Sequence, residues 1–179
     1  MIDRKHTLLL VVDIQGKLAE IAHESAHLLR NARILIEGAK ILGIPIVYTE
    51  QYPKGLGPTE SNLAELLADA IRIEKDSFSC CGAFEFEVKL TELHKTDILL
   101  CGIEAHVCVY QTARDLIGLG YNVHVVSDAV SSRTPANREL GIHAMEQLGA
   151  KRTGTEMALF ELLQVSGTDE FKAISRLVK

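Results

Sequence analysis

DILLCGIEAHVCVYQTARDLIGLGYNVHVVS, residues 97–127, contains a complete strand–helix–strand unit. Asp97 to Cys101 is a nearly unbroken apolar run, which is how a strand buried on both faces reads, because neither face needs polar residues. A helix from Val107 to Leu119, carrying Val109, Ala113 and Leu116, is closed by Gly120. Asn122 to Ser127 then returns as a second strand. A helical crossover of this kind joins parallel neighbours of one sheet.

Outward from this unit the alternation continues. Thr7 to Val12 and Ile44 to Thr49 are strands of the same kind, and between them Ala26 to Leu42 places Leu28, Leu29, Ala32, Leu35, Ile36, Ala39 and Ile41 at helical spacing. Ser25 is the expected N-cap of that helix; Gly43 ends it and Pro45 prevents its resumption. Downstream, a helix over Pro135 to Leu148 is closed by Gly149, Lys151 to Thr153 reads as a short last strand, and Glu156 to Gln164 and Asp169 to Val178 read as terminal helices. The pattern predicts one α/β domain over residues 1–179, a three-layer sandwich with a mainly parallel central sheet and helices on both faces. A chain of 179 residues buries roughly two thirds of its unfolded surface, enough for one substantial core.

Composition narrows the function classes. The chain is 47% hydrophobic and 24% charged, ordinary for a globular protein. Its net charge of -5, with no basic stripe, works against nucleic acid as a partner. The apolar run Leu8 to Val12 is closed by Asp13 and is too short for a signal segment or a membrane span, so a cytoplasmic protein without a membrane partner is expected. Cys80, Cys81, Cys101 and Cys108 fit no zinc-ribbon or thioredoxin spacing and read as free thiols. Gly55 and Gly57, flanked by Pro53 and Pro58, form a turn-rich loop rather than a phosphate cradle, and no cofactor is implied. His23-Glu24-Ser25-Ala26-His27 matches H-E-x-x-H literally, but with Ser25 as N-cap His23 lies outside the helix, so no zinc site is expected.

In a parallel α/β sheet ligands bind beyond the carboxyl ends of the strands. Those ends carry Asp13 with Gln15, Glu50 with Gln51 and Tyr52, the Gly102 to Cys108 segment, and Asp128 with Ser131, Ser132 and Arg133. Asp13 is either a helix cap or a functional carboxylate. Cys108, at a helix start, is either a small buried hydrophobe or a thiol whose thiolate the helix dipole stabilises. Lys75, after Ile71 and Ile73, sits at a strand end or a surface bend. His106 is two residues from Cys108, poor geometry for a general base. Gln15, Gln51, Tyr52, Phe78 and His106 are candidates to line a substrate pocket.

LLLVVDIQ at 8–15, EKDSFS at 74–79 and CGIEAHVCVYQTARDL at 101–116 together resemble the three hallmark regions of the isochorismatase-like hydrolases. The resemblance extends through VVSDAVSSR at 125–133, and TEQYPKGLGPT at 49–59 is similar to the isochorismatase-domain-containing subgroup. It implies Asp13 as general base, Lys75 as a cationic partner whose role is electrostatic rather than structural, and Cys108 as nucleophile. It further implies a cis Ile103–Glu104 peptide, an oxyanion hole from the backbone N–H groups of Glu104 and Cys108, and a homo-oligomer of two or more copies. Nicotinamidases of the family carry an Asp-x-His metal site after the second strand, where this chain has Glu50, Gln51 and Tyr52. A metal is therefore not expected, and amide-type C–N hydrolysis of a small molecule through a thioester is favoured. A vinyl-ether hydrolase using Asp13 and Lys75, a silent binding protein, and a redox sensor pairing Cys108 with Cys101 are the alternatives.

Overall fold

The computed structural model describes residues 2–179. Six strands form one sheet in the order β3-β2-β1-β4-β5-β6: β1 (Thr7–Val12), β2 (Ile46–Gln51), β3 (Ile71–Lys75), β4 (Asp97–Ile103), β5 (Asn122–Ser131) and β6 (Lys151–Thr153). All five pairings are parallel. The helices are α1 (Gly16–Ile21), α2 (Ser25–Ile41), α3 (Pro53–Leu56), α4 (Ser61–Leu66), α5 (Phe84–Leu93), α6 (Tyr110–Gly118), α7 (Pro135–Gln147), α8 (Thr155–Leu163) and α9 (Asp169–Leu177).

Strand periodicity distributes the core. Leu9 and Val11 of β1 face Leu28, Leu35 and Ala39 of α2, Leu159 of α8 and Ile174 of α9. Leu8, Leu10 and Val12 face Phe86 of α5, Ala113 and Leu116 of α6, and Ile142 and Met145 of α7. Each buried Leu or Ile contributes about 1.5–3 kcal/mol, so both faces of the sheet are strongly held. No helix among the described residues is long and apolar enough to cross a membrane.

Several local expectations shift. β3 is an edge strand paired only with β2; its outward Arg72 and Glu74 pair with each other at 2.8 Å, and this exposed charge hides the strand from a hydrophobic reading. Helix α5 was likewise not foreseen in the sequence. The α2 cap is Glu24, in a left-handed conformation, whereas Ser25 is the first helical residue and donates its hydroxyl to the Ala19 carbonyl at 2.7 Å. The helix expected from Val107 opens instead with a π turn, Ala105–Val109, and becomes α-helical at Tyr110.

Two glycines let the backbones converge around that turn. Gly102 has φ +127, and a Cβ there would stand 2.0 Å from the Val12 carbonyl oxygen. At Gly141 a Cβ would stand 2.5 Å from the Ala105 carbonyl, so α7 reaches the π turn only without a side chain.

Candidate active site

The parallel register brings chemistry to one end of the sheet. Val12 pairs with Thr49 and Gln51 pairs with Lys75, so the residue after β1, the end of β2 and the end of β3 lie side by side. Asp13 emerges there with φ 51 and is 2% exposed. Lys75 Nζ donates to Asp13 Oδ2 at 2.6 Å, to Gln51 Oε1 at 2.9 Å, and to the Phe78 and Ser77 carbonyls at 3.0 and 3.2 Å. The other carboxylate oxygen, Asp13 Oδ1, accepts from Thr49 Oγ1 at 2.6 Å. Burying two charges costs several kcal/mol each, which is offset only by close geometry and satisfied hydrogen bonds, and both are present. The lysine side chain is fully shielded, so the expectation that Lys75 has no structural role is corrected: removing it strands a buried carboxylate.

Cys108 lies on the π turn, 8% exposed, in the same apolar cluster as Leu8, Leu10 and Val12. Burial pushes its thiol up to about 12; Asp13 adds to this, as a nearby negative charge and a hydrogen-bond acceptor for the thiol proton, while the Lys75 ammonium opposes it. Of the two readings of Cys108 at a helix start, this favours the buried, protonated thiol beside a carboxylate. Desolvation and the carboxylate outweigh the lysine. Cys101 belongs to the core cluster on the opposite face of the sheet, which removes it as a resolving partner for Cys108.

The Ile103–Glu104 peptide is cis, as the resemblance implies. The Glu104 carboxylate accepts from Arg133 Nε at 3.0 Å and from the Arg133 backbone N–H at 3.2 Å. His106 Nδ1 lies 3.0 Å from Ser132 Oγ, which occupies that ring nitrogen.

Of the candidate lining residues, Gln15 and Gln51 are structural in their contacts. Gln15 Nε2 donates to the Gly57 and Gln51 carbonyls, and its Oε1 accepts the Gln51 N–H at 2.6 Å, so its amide fastens the loop after β2 instead of facing a ligand. Gln51 holds Lys75 and donates to the Asp76 carbonyl at 2.7 Å. Tyr52 and Phe78 are each 55% exposed.

A cleft of about 450 Å³, lined by Tyr52, Asp76, Ser77, Phe84 and Glu85 among others, meets Lys75 but neither Asp13 nor Cys108. Since the Lys75 side chain is fully shielded, this cleft touches the main chain at the end of β3 and flanks the buried site.

Glu50, where a metal-dependent relative would place ligands, has both oxygens occupied. Oε1 accepts from the Thr59 N–H and hydroxyl, and Oε2 from Arg72 Nη2 at 2.6 Å. Burial alone would raise its pKa, but these hydrogen bonds and the Arg72 charge outweigh burial and hold it below the usual carboxylate range. His27 contacts Asn31, and His23 precedes α2. No group of three or more His, Cys, Asp or Glu among the described residues is arranged to hold a metal ion.

Two neighbours of the site were missed in the sequence: Thr49, and Cys80 on the 3-10 turn Cys80–Gly82, whose Sγ lies 3.8 Å from Thr49 Oγ1. The pairing of β1 with β2 would have flagged Thr49; no local signal marks Cys80.

A wholly parallel sheet with a carboxylate, an ammonium and a thiol gathered at its strand ends places the chain among the doubly wound α/β hydrolases. More narrowly, the chain belongs to the isochorismatase family, whose Isochorismatase domain matches residues 7–157. It is 40% identical over 178 residues to the secreted isochorismatase effector Isc1 of Phytophthora sojae, covering 97% of this chain and 84% of that protein. It is 37% identical over 175 residues to isochorismatase domain-containing protein 2 of Danio rerio, covering 97% and 87%. Among solved structures, the MAR1 ribonuclease from Caenorhabditis elegans superposes with a TM-score of 0.93 at 41% identity, covering 99% of this chain and 91% of that one.

Proposed function

We propose that this family hydrolase cleaves a C–N, amide-type bond of a small molecule through Cys108, with Asp13 as general base and Lys75 as its cationic partner. The observation that carries the reading is the buried 2.6 Å Lys75–Asp13 pair set against the neutral Cys108 thiol. Asp13 takes the thiol proton as sulfur attacks the carbonyl carbon, so no standing thiolate is required. The negative charge passes to the carbonyl oxygen, where the backbone N–H groups of Glu104 and Cys108 receive it; one such donor is typically worth about 3–4 kcal/mol. The C–N bond then breaks as Asp13 returns the proton to the departing amine. Water, deprotonated by the same carboxylate, hydrolyses the thioester and frees the thiol. Lys75 keeps Asp13 from adding an unbalanced negative charge to the pocket. The free thiols expected of a reducing compartment suit this chemistry, and a homo-oligomer remains part of the proposal.

The ribonuclease name of the C. elegans structure raises a polyanionic substrate. The net charge of -5, and Asp76 and Glu85 on the cleft beside Lys75, work against one. Ammonia release from a panel of small primary amides, nicotinamide included, tests the proposal, with Cys108→Ser and Asp13→Asn in parallel and a structured RNA as a further substrate. Release from at least one amide, lost in both variants, is expected. Turnover of a vinyl ether that survives Cys108→Ser but not Asp13→Asn would move the reading to that chemistry, and RNA cleavage lost in either variant would overturn it.

A further inference from the structure

Asp13 is held by two donors, and only one of them belongs to the triad proposed above. The second is Thr49, fully enclosed in the last half of β2, whose hydroxyl donates to the carboxylate oxygen that Lys75 leaves free. A hydroxyl has one proton and two lone pairs, so with its proton on Asp13 the Thr49 oxygen is left to accept. Cys80 meets that need: its S–H donates to Thr49 Oγ1 at 3.8 Å. The thiol is placed by its own backbone, since the Cys80 N–H donates to Thr112 Oγ1 at 3.0 Å, and Thr112 stands in α6 one turn beyond Cys108. Burial pushes the Cys80 thiol up to about 11, so it remains an S–H donor at neutral pH.

We propose that Thr49 is a positioning residue for Asp13 and that Cys80 sets the direction of its hydroxyl, the chain from Cys80 S–H through Thr49 O–H fixing the plane of the Asp13 carboxylate toward Cys108. The inference rests on Asp13 acting as the base. A carboxylate tied at one oxygen swings about its Cβ–Cγ bond; tied at Oδ1 by Thr49 and at Oδ2 by Lys75, it presents its remaining lone pairs in one direction. No proton moves along the chain, because the only proton transferred is that of Cys108. The titratable groups facing Asp13 are Lys75 from β3, Cys108 from the π turn and, behind Thr49, Cys80 from the 3-10 turn.

The test is the rate of Cys108 alkylation by iodoacetamide, followed by peptide mapping between about pH 5 and 9. Wild type is compared with Thr49→Val, Thr49→Ser, Cys80→Ala and Asp13→Asn. Thr49→Val is expected to slow Cys108 about tenfold and to move the acid limb of the profile to higher pH, since the carboxylate loses a donor. Thr49→Ser, which keeps the hydroxyl, restores both, and Cys80→Ala gives a smaller change in the same direction. A merely structural threonine would lower the melting temperature without moving the limb. Should Thr49→Val fail to fold, Cys80→Ala carries the test, and a profile superimposable on wild type in either folded variant overturns the inference. Asp13→Asn separates the two claims. If it slows Cys108 while the Thr49 and Cys80 variants do not, only this inference fails; if it does not slow Cys108, the proposed base fails and this inference falls with it.

Discussion

Two buried acid–base pairs occupy opposite ends of the same sheet. At the amino end of β4, Asp97 Oδ1 lies 3.2 Å from His124 Nε2, and burial lowers the histidine pKa, with Asp97 opposing. At the carboxyl end, Lys75 and Asp13 meet at 2.6 Å with a thiol beside them. The lower pair joins two adjacent strands, β4 and β5. The upper pair reaches across β2 from β1 to β3 and adjoins two turns of non-α helix, one bearing Cys80 and the other Cys108. Burial alone therefore does not single out a pair for the proposed chemistry; position at the strand ends and a third reactive neighbour set the upper pair apart.

Substitutions separate the two ends, and the largest expected effect is at Asp13. Asp13→Asn preserves shape but removes the proton acceptor, and turnover is expected to fall by about 10²–10⁴-fold, read by ammonia release. Lys75→Ala follows: it leaves Asp13 buried and unpaired, so a loss of about 3–5 kcal/mol in chemical denaturation accompanies the loss of activity. By contrast His124→Gln is expected to leave turnover of the folded protein unchanged.

The pH dependence of stability divides along the same line. Cys80 is pushed up to about 11 and Cys108 to about 12, chiefly by burial, and Cys101 is raised in the same way. A raised thiol holds its proton in the folded state after the unfolded chain has released its own. Stability is thus fully present below the ordinary thiol value and is lost as pH rises from about 9 toward the folded values. Denaturation midpoints in that window should fall, and Cys101→Ala should flatten the decline. The smallest effect is at the other end of the sheet. His124 is lowered, so its contribution is present above about pH 6.5 and is lost as pH falls below it; His124→Gln should reduce that acid-side slope.

The central strands were legible because β1, β4 and β5 are buried on both faces and read as apolar runs. β3 was not, because its outward side chains are charged, and so Lys75 was identified through family resemblance and not through its surroundings. Asp13 and Cys108 were found by their positions beside strand ends. Thr49 needs the pairing of two strands to be noticed, and Cys80 needs the approach of a turn to β2, neither of which is local in sequence. The upward shift of the Cys108 thiol comes from desolvation and from a carboxylate 95 positions away, neither of which is local in sequence.

The central claim is that Cys108 is a neutral thiol activated by Asp13, and competitive alkylation of the four cysteines with isotope-coded iodoacetamide at neutral pH tests it most directly. Cys80 and Cys101 are shielded, and Cys81, though more open, is pushed up to about 12, chiefly by burial. The expected result is that the Cys108 peptide is labelled well before the other three and that Asp13→Asn removes its lead. Labelling of Cys108 no faster than Cys81, with no change in Asp13→Asn, would contradict the assignment of both nucleophile and base.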